Sequence, residues 1–156
     1  MIYVAVQTDD FNSNDEEIKL EASSGHCGAI VTFKGVVRGY DQEPRLDYLH
    51  LEHFPGITEQ EIERIIKQAQ TRWQFTSCRV IHRVGDLAVG DPIVLVMVSA
   101  RHRKEAFQAA EFIMDYLKTE APFWKKNIFK MDAQAGLRQN HLILYRNSVG
   151  IVNEHR

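Results

Sequence analysis

The stretch "CRVIHRVGDLAVGDPIVLVMVSA", Cys78 to Ala100, decides the fold class. Its two arms, "CRVIHRVG" and "PIVLVMVSA", are short runs rich in β-branched residues, which reads as strand rather than helix. The polar "DLAVGD" between them is turn-like, so the pair reads as a hairpin. Upstream, "MIYVAVQ" alternates like a strand. Ser13 and Glu16 have capping-box spacing for a helix that runs to Ala22, before Gly25. "GAIVTFKGVVR" (Gly28 to Arg38) reads as a buried strand with a bulge at Gly35, and Gly39 to Arg45 as a polar loop. "LDYLHLEH" (Leu46 to His53) alternates up to a Phe-Pro-Gly turn. Thr58 and Glu61 then read as a second capping box, opening a helix that carries Ile62, Ile65, Ile66, Ala69 and Trp73 at helical spacing. Downstream, a helix is expected over His102–Thr119 with Phe107, Ala110, Met114 and Leu117 on its apolar face. A last strand is expected in "HLILYRN" (His141 to Asn147), paired with "NIFKM". The order β-α-β-β-α-β-β-α-β, with its hairpins, predicts an α+β fold of mainly antiparallel pairing, not a doubly wound sheet.

The 156 residues suffice for one domain with a core, taken as 1–156. A hydrophobic content of 44% and a charged content of 26% describe a soluble globular protein. A net charge of -2 argues against electrostatic binding of nucleic acid by the molecule as a whole. Cys27 and Cys78 lack CxxC spacing and read as reduced thiols. No secretory signal and no apolar run of membrane-spanning length is visible, so a cytoplasmic location is expected.

Three constellations could carry chemistry. "SARHRKEAF" (Ser99 to Phe107) puts Arg101, His102, Arg103 and Lys104 at a helix start, where the macrodipole disfavours cations. A bound anion would resolve that conflict; a solvated turn, with pairing to Glu105 or Glu111, is the alternative. "DYLKTEAPFWKK" (Asp115 to Lys126) sets Lys118 at a helix end and Lys125 beyond Pro122. Phe123 and Trp124 there could wall a pocket around an amine, making it a nucleophile or general base. As alternatives, Lys118 only complements the dipole and the aromatics are core or interface residues. Arg38 ends a strand beside a polar loop, a place for an anion contact or for a plain surface arginine. His50, His53 and His82 have no ligand spacing, so no metal is assigned. From the residues alone the site takes an anionic small molecule and needs no cofactor of its own.

"GAIVTFKGVVR", "LEHFPGIT", "VIHRVGDLAVGD" and "FIMDYLKTEAPFWKK" together resemble the large, catalytic subunit of molybdopterin synthase, from about residue 28 to residue 126. The resemblance implies an α/β-hammerhead fold with an additional antiparallel α+β subdomain. It also implies a homodimer within a heterotetramer, carrying a small ubiquitin-like subunit at each end. That partner's C-terminal Gly-Gly thiocarboxylate would supply two sulfurs to cyclic pyranopterin monophosphate, making the dithiolene of molybdopterin. By the same resemblance Lys118 and Lys125 are catalytic, and Phe33, Arg38, His102, Arg103 and Met114 bind substrate. Residues 127–156 depart from the family in lacking its usual Trp-bearing strand, with Gly136 as a possible turn residue. The rival reading is a non-catalytic anion- or nucleotide-binding module.

Overall fold

Both arms of the opening stretch are strands: β4 (Ser77–Arg83) and β6 (Pro92–Ala100), paired antiparallel from Ser77↔Ser99 to His82↔Val94. The structure, a computed structural model, describes residues 1–39 and 45–129 together with the backbone of 143–147 and 152–154. The expected turn between the arms is more than a turn. Its middle is a short strand, β5 (Gly85–Ala88), which leaves the β4–β6 sheet and joins a second one. Gly85 and Gly90 take φ of 87° and 94° at the two crossings, a region open to glycine. Leu87, fully buried, holds the detour down.

The first sheet has the order β1-β4-β6-β2, with β1 (Ile2–Gln7) parallel to β4 and β2 (Ala29–Val36) antiparallel to β6. The β2 register shifts between Gly35 and Val36, where the bulge was expected. The second sheet runs β5-β3-β7-β8-β9. It is built on β3 (Leu46–His53), β7 (Phe123–Phe129), β8 (Ile143–Asn147) and β9 (Val152–Glu154). The pairing of the last strand with "NIFKM" is present as β7–β8, although β7 starts earlier, at Phe123. The Gly39–Arg45 loop call falls mostly on residues 40–44, which lie outside the described residues, as does Gly136.

Among the described residues three helices cover these sheets. In α1 (Ser13–Ser24) the cap is Asn12, not Ser13: its side-chain oxygen accepts from the N–H groups of Asn14 and Asp15 at 3.0 and 3.2 Å. In α2 (Ile57–Arg72) the cap is Gly56, whose N–H donates to Glu59 Oε2 at 2.6 Å, so the Thr58–Glu61 box does not form. Thr58 is buried and tied elsewhere. It accepts from Phe54 N and donates to the Pro122 carbonyl at 3.1 Å, joining the start of α2 to the entry of β7.

The third helix, α3 (Arg103–Thr119), buries Ala106, Ala109, Ala110, Ile113, Tyr116 and Leu117. Phe107 lies one residue, about 100° of helix, outside that stripe and is 62% exposed, contrary to the expected apolar face. One core joins α2, α3 and both sheets, taking in Leu49, Leu51 and Leu87 from the second and Val94, Val96 and Val98 from the first. A smaller core of Leu20, Ile81, Leu95 and Met97 lies under α1. There Glu16 and Arg79 form a buried ion pair, with the Arg79 guanidinium 3.9 Å from the Tyr3 ring centre.

Candidate active site

Strand register fixes where the predicted residues fall. The sheet has one end at Ala29↔Ala100 and the other at Val36↔Pro92. β6 leaves the sheet at Ala100, and α3 begins three residues later and packs back over β6 and β2. Its first turn is therefore at the Ala100 end and its last turn at the Pro92 end.

At the Pro92 end stand Lys118, exposed in the last turn of α3, and Met114, half-buried one turn earlier. Arg38 follows β2 there, on a segment held by the Val37 N–H to the Asp91 carbonyl and the Gly90 N–H to the Val37 carbonyl. Phe33, opposite Val96, is 43% exposed at mid-strand. β7 enters at this same end, because Phe123 stacks at 4.1 Å on His82, whose register partner is Val94, itself opposite Gly35. Lys125 is two residues further on, half-buried and in register with Leu51. Four of the seven predicted residues, Arg38, Met114, Lys118 and Lys125, thus gather at one end of the sheet, with Phe33 partway along it.

The other two do not join them. His102 is the N-cap residue of α3 and Arg103 its first residue, both exposed. Fifteen residues at about 1.5 Å each put Arg103 roughly 22 Å along the helix from Lys118. His102 makes no side-chain hydrogen bond to the first turn, so the N–H groups there stay open to an anion. Glu105, one of the two carboxylates expected to neutralise these bases, has Oε2 buried with no hydrogen-bond partner. An open recess of about 600 Å³ lies here, lined by His102, Arg103, Lys104, Phe107 and Gln108. Lys104 belongs to the basic turn named from the sequence, whereas Gln108 and the stray Phe107 were not foreseen as walls. Only the misfit of Phe107 with the buried stripe signals them.

Of the two readings of Phe123 and Trp124, pocket walls beside Lys118 or packed residues, the structure shows the second. Phe123 is core, 6% exposed, and Trp124 packs edge-on against Phe54 at 4.1 Å. What Phe123 does is seat the entry of β7 on His82. Burial holds that imidazole's pKa down at about 4, so it is neutral, with Nδ1 bonded to the Arg83 carbonyl at 2.9 Å. Cys27 is partly exposed, and Cys78 is fully buried with its thiol pushed up to about 12. Among the described residues no three His, Cys, Asp or Glu side chains converge as a metal site, and no helix is long and apolar enough to cross a membrane.

A family model described as MoaE protein matches residues 6–120. The chain belongs to the MoaE family. It is 52% identical over 125 residues to the molybdopterin synthase catalytic subunit of Vibrio cholerae, covering 80% of this chain and 83% of that one. The fold matches the molybdopterin biosynthesis MoaE protein of Burkholderia ambifaria with a TM-score of 0.75. That pair is 41% identical, covering 86% of this chain and 95% of that one. Molybdopterin synthase from Staphylococcus aureus matches with a TM-score of 0.73 at 28% identity, over 81% and 91% of the two chains. The MoaE match takes in Lys118 at one end of α3 and Arg103 at the other, and ends before Lys125.

Proposed function

We propose that this chain is the catalytic subunit of a molybdopterin synthase whose active site is built by two copies of the chain. A small ubiquitin-like partner brings sulfur as a C-terminal Gly-Gly thiocarboxylate. The acceptor is cyclic pyranopterin monophosphate, and two transfers make its dithiolene. Membership of the MoaE family supports the reaction. The observation that carries the two-copy site is the separation of the cations: a phosphate held by His102 and Arg103 is too far along α3 to sit beside Lys118 of the same chain. If one substrate needs both, the second set comes from a dimer mate.

In this reading Lys118 is the acid/base or transient nucleophile at the reacting carbon or departing acyl group. Lys125, less exposed and held in β7, keeps the substrate in place and balances developing negative charge. Arg38 gives a planar anion contact, and Phe33 and Met114 supply apolar surface for the flat ring. His102 and Arg103 of the mate hold the phosphate through charge-assisted hydrogen bonds and the open helix start.

The test is reconstitution. The purified chain, the pyranopterin and a thiocarboxylated small subunit are mixed, and dithiolene is assayed. Product should appear only when the partner carries its thiocarboxylate, and should persist in a Cys27→Ser, Cys78→Ala double variant, which has no thiol to supply sulfur. Tight pyranopterin binding with no dithiolene formed would reduce the chain to an anion-binding module.

A further inference from the structure

We infer that Ser99 and Gly28 are positioning residues for phosphate binding: they fix the turn that presents His102 and Arg103 without touching the substrate. This rests on the phosphate role given to that turn above and adds what aims it, the end of α1 and its connection to β2. Ser99, fully buried, stands three residues before His102 and is a hub of hydroxyls. Its Oγ accepts from the Ser77 N–H at 3.1 Å. The same Oγ lies 2.7 Å from Ser24 Oγ, at the end of α1, and 2.8 Å from Thr76 Oγ1. The Ser99 carbonyl accepts from the Thr76 N–H at 2.8 Å. The end of α1 and the entry to β4 are thus both tied to the end of β6, just where the chain turns into α3. A buried polar network of this kind rigidifies its surroundings while its members are satisfied.

Gly28 holds the turn from the β2 side. Its N–H donates to the Ala100 carbonyl at 3.0 Å, and a Cβ on residue 28 would stand 2.3 Å from the Arg101 carbonyl oxygen. Gly28 does not take a positive φ, so its backbone conformation does not call for glycine. The close approach does. That carbonyl shares one rigid peptide plane with the N–H of His102. Cβ contacts under 3.0 Å essentially do not occur, so an alanine at 28 has to displace the plane or the start of β2. The strand start has little room to retreat, because Gly28 is bonded to Ala100 and Ala29 is in register with it. The displacement therefore passes into His102, the N-cap residue, whose φ of -129° and ψ of 150° set where α3 begins. Neither Ser99 nor Gly28 lines the recess beside His102 and Arg103, so their effect on a bound phosphate has to run through the turn.

The test measures kcat and KM for the pyranopterin with the full chain and its thiocarboxylated small subunit. Gly28→Ala should raise KM roughly tenfold or more, as a misplaced charge-assisted phosphate contact does, and leave kcat within about twofold. Ser99→Ala should shift KM in the same direction by a smaller factor. In a His102→Ala, Arg103→Ala background neither substitution should add more than about twofold, because no contact is left to misplace. Losses of equal size in both backgrounds, or a fall in kcat with KM unchanged, would make Ser99 and Gly28 packing residues alone and overturn the inference. Should Gly28→Ala fail to fold or to assemble, Ser99→Ala decides by the same criteria. If the His102→Ala, Arg103→Ala chain keeps the parental KM, the phosphate reading itself fails and takes the inference with it.

Discussion

Lys118 and Lys125 can be told apart by the residue that replaces them. Lys118 is exposed in the last turn of α3, where a lysine complements the dipole whatever else it does. If it moves a proton or forms a bond, Lys118→Arg should lose about 10²-fold or more in turnover, because a guanidinium does not give up its proton near neutrality. Lys125→Arg keeps the cation and should keep measurable turnover. Single-turnover assays of the two folded variants, with small-subunit binding unchanged, check the contrast; near-parental turnover of Lys118→Arg would move the chemistry elsewhere. Both lysines were legible because "DYLKTEAPFWKK" is a long motif with a helix exit and a proline in it. For Phe123 and Trp124 sequence left two readings, pocket walls or core and interface residues, and the structure takes the packed one. Sequence shows that two aromatics follow Pro122, whereas their directions depend on His82 and Phe54, which come from β4 and the β3–α2 turn.

At the level of elements, titration reports on the joins between strands. His50 on β3 holds Asp86 of β5 through Nδ1 at 2.6 Å and Glu52 through Nε2 at 3.0 Å. The bond to Asp86, helped by Glu52 and only partly opposed by burial, raises its pKa. A raised histidine pKa contributes stability that is fully present below the unfolded value, near 6.5, and is lost as pH rises through the folded value. The melting-temperature penalty of His50→Gln should therefore be largest near pH 6 and shrink steadily into the alkaline range; a penalty independent of pH would mean the imidazolium is not the tie.

Under α1, Arg79→Ala strands the buried Glu16 carboxylate, whose pKa burial raises but the bonds from Lys19 and Arg79 bring down overall. Breaking such a pair costs about 3–5 kcal/mol, and an apolar pair at both positions should restore much of it. Urea unfolding of the single and double variants decides this. Helices and strands were largely legible from periodicity, and the β3 limits from its alternation. Their caps were not: Ser13 and Asn12 are both competent caps, and Thr58 was taken by the Pro122 carbonyl, a partner 64 residues away. β5 was hidden for a similar reason, since four residues joining another sheet look like a turn from inside their own hairpin.

For the whole molecule, the site residues could be named from the sequence but their grouping could not. Seven positions in one chain suggest one pocket; only the direction of α3 over the sheet shows that they form two clusters. The most direct measurement mixes two dead variants, Lys118→Ala and Arg103→Ala, co-expressed with different tags. If each site takes Lys118 from one copy and Arg103 from the other, a mixed dimer holds one intact site and one doubly broken site. The purified mixed dimer should then make dithiolene at about half the parental rate, while each variant alone stays near zero. A mixed dimer as inactive as its two parents would contradict the shared site.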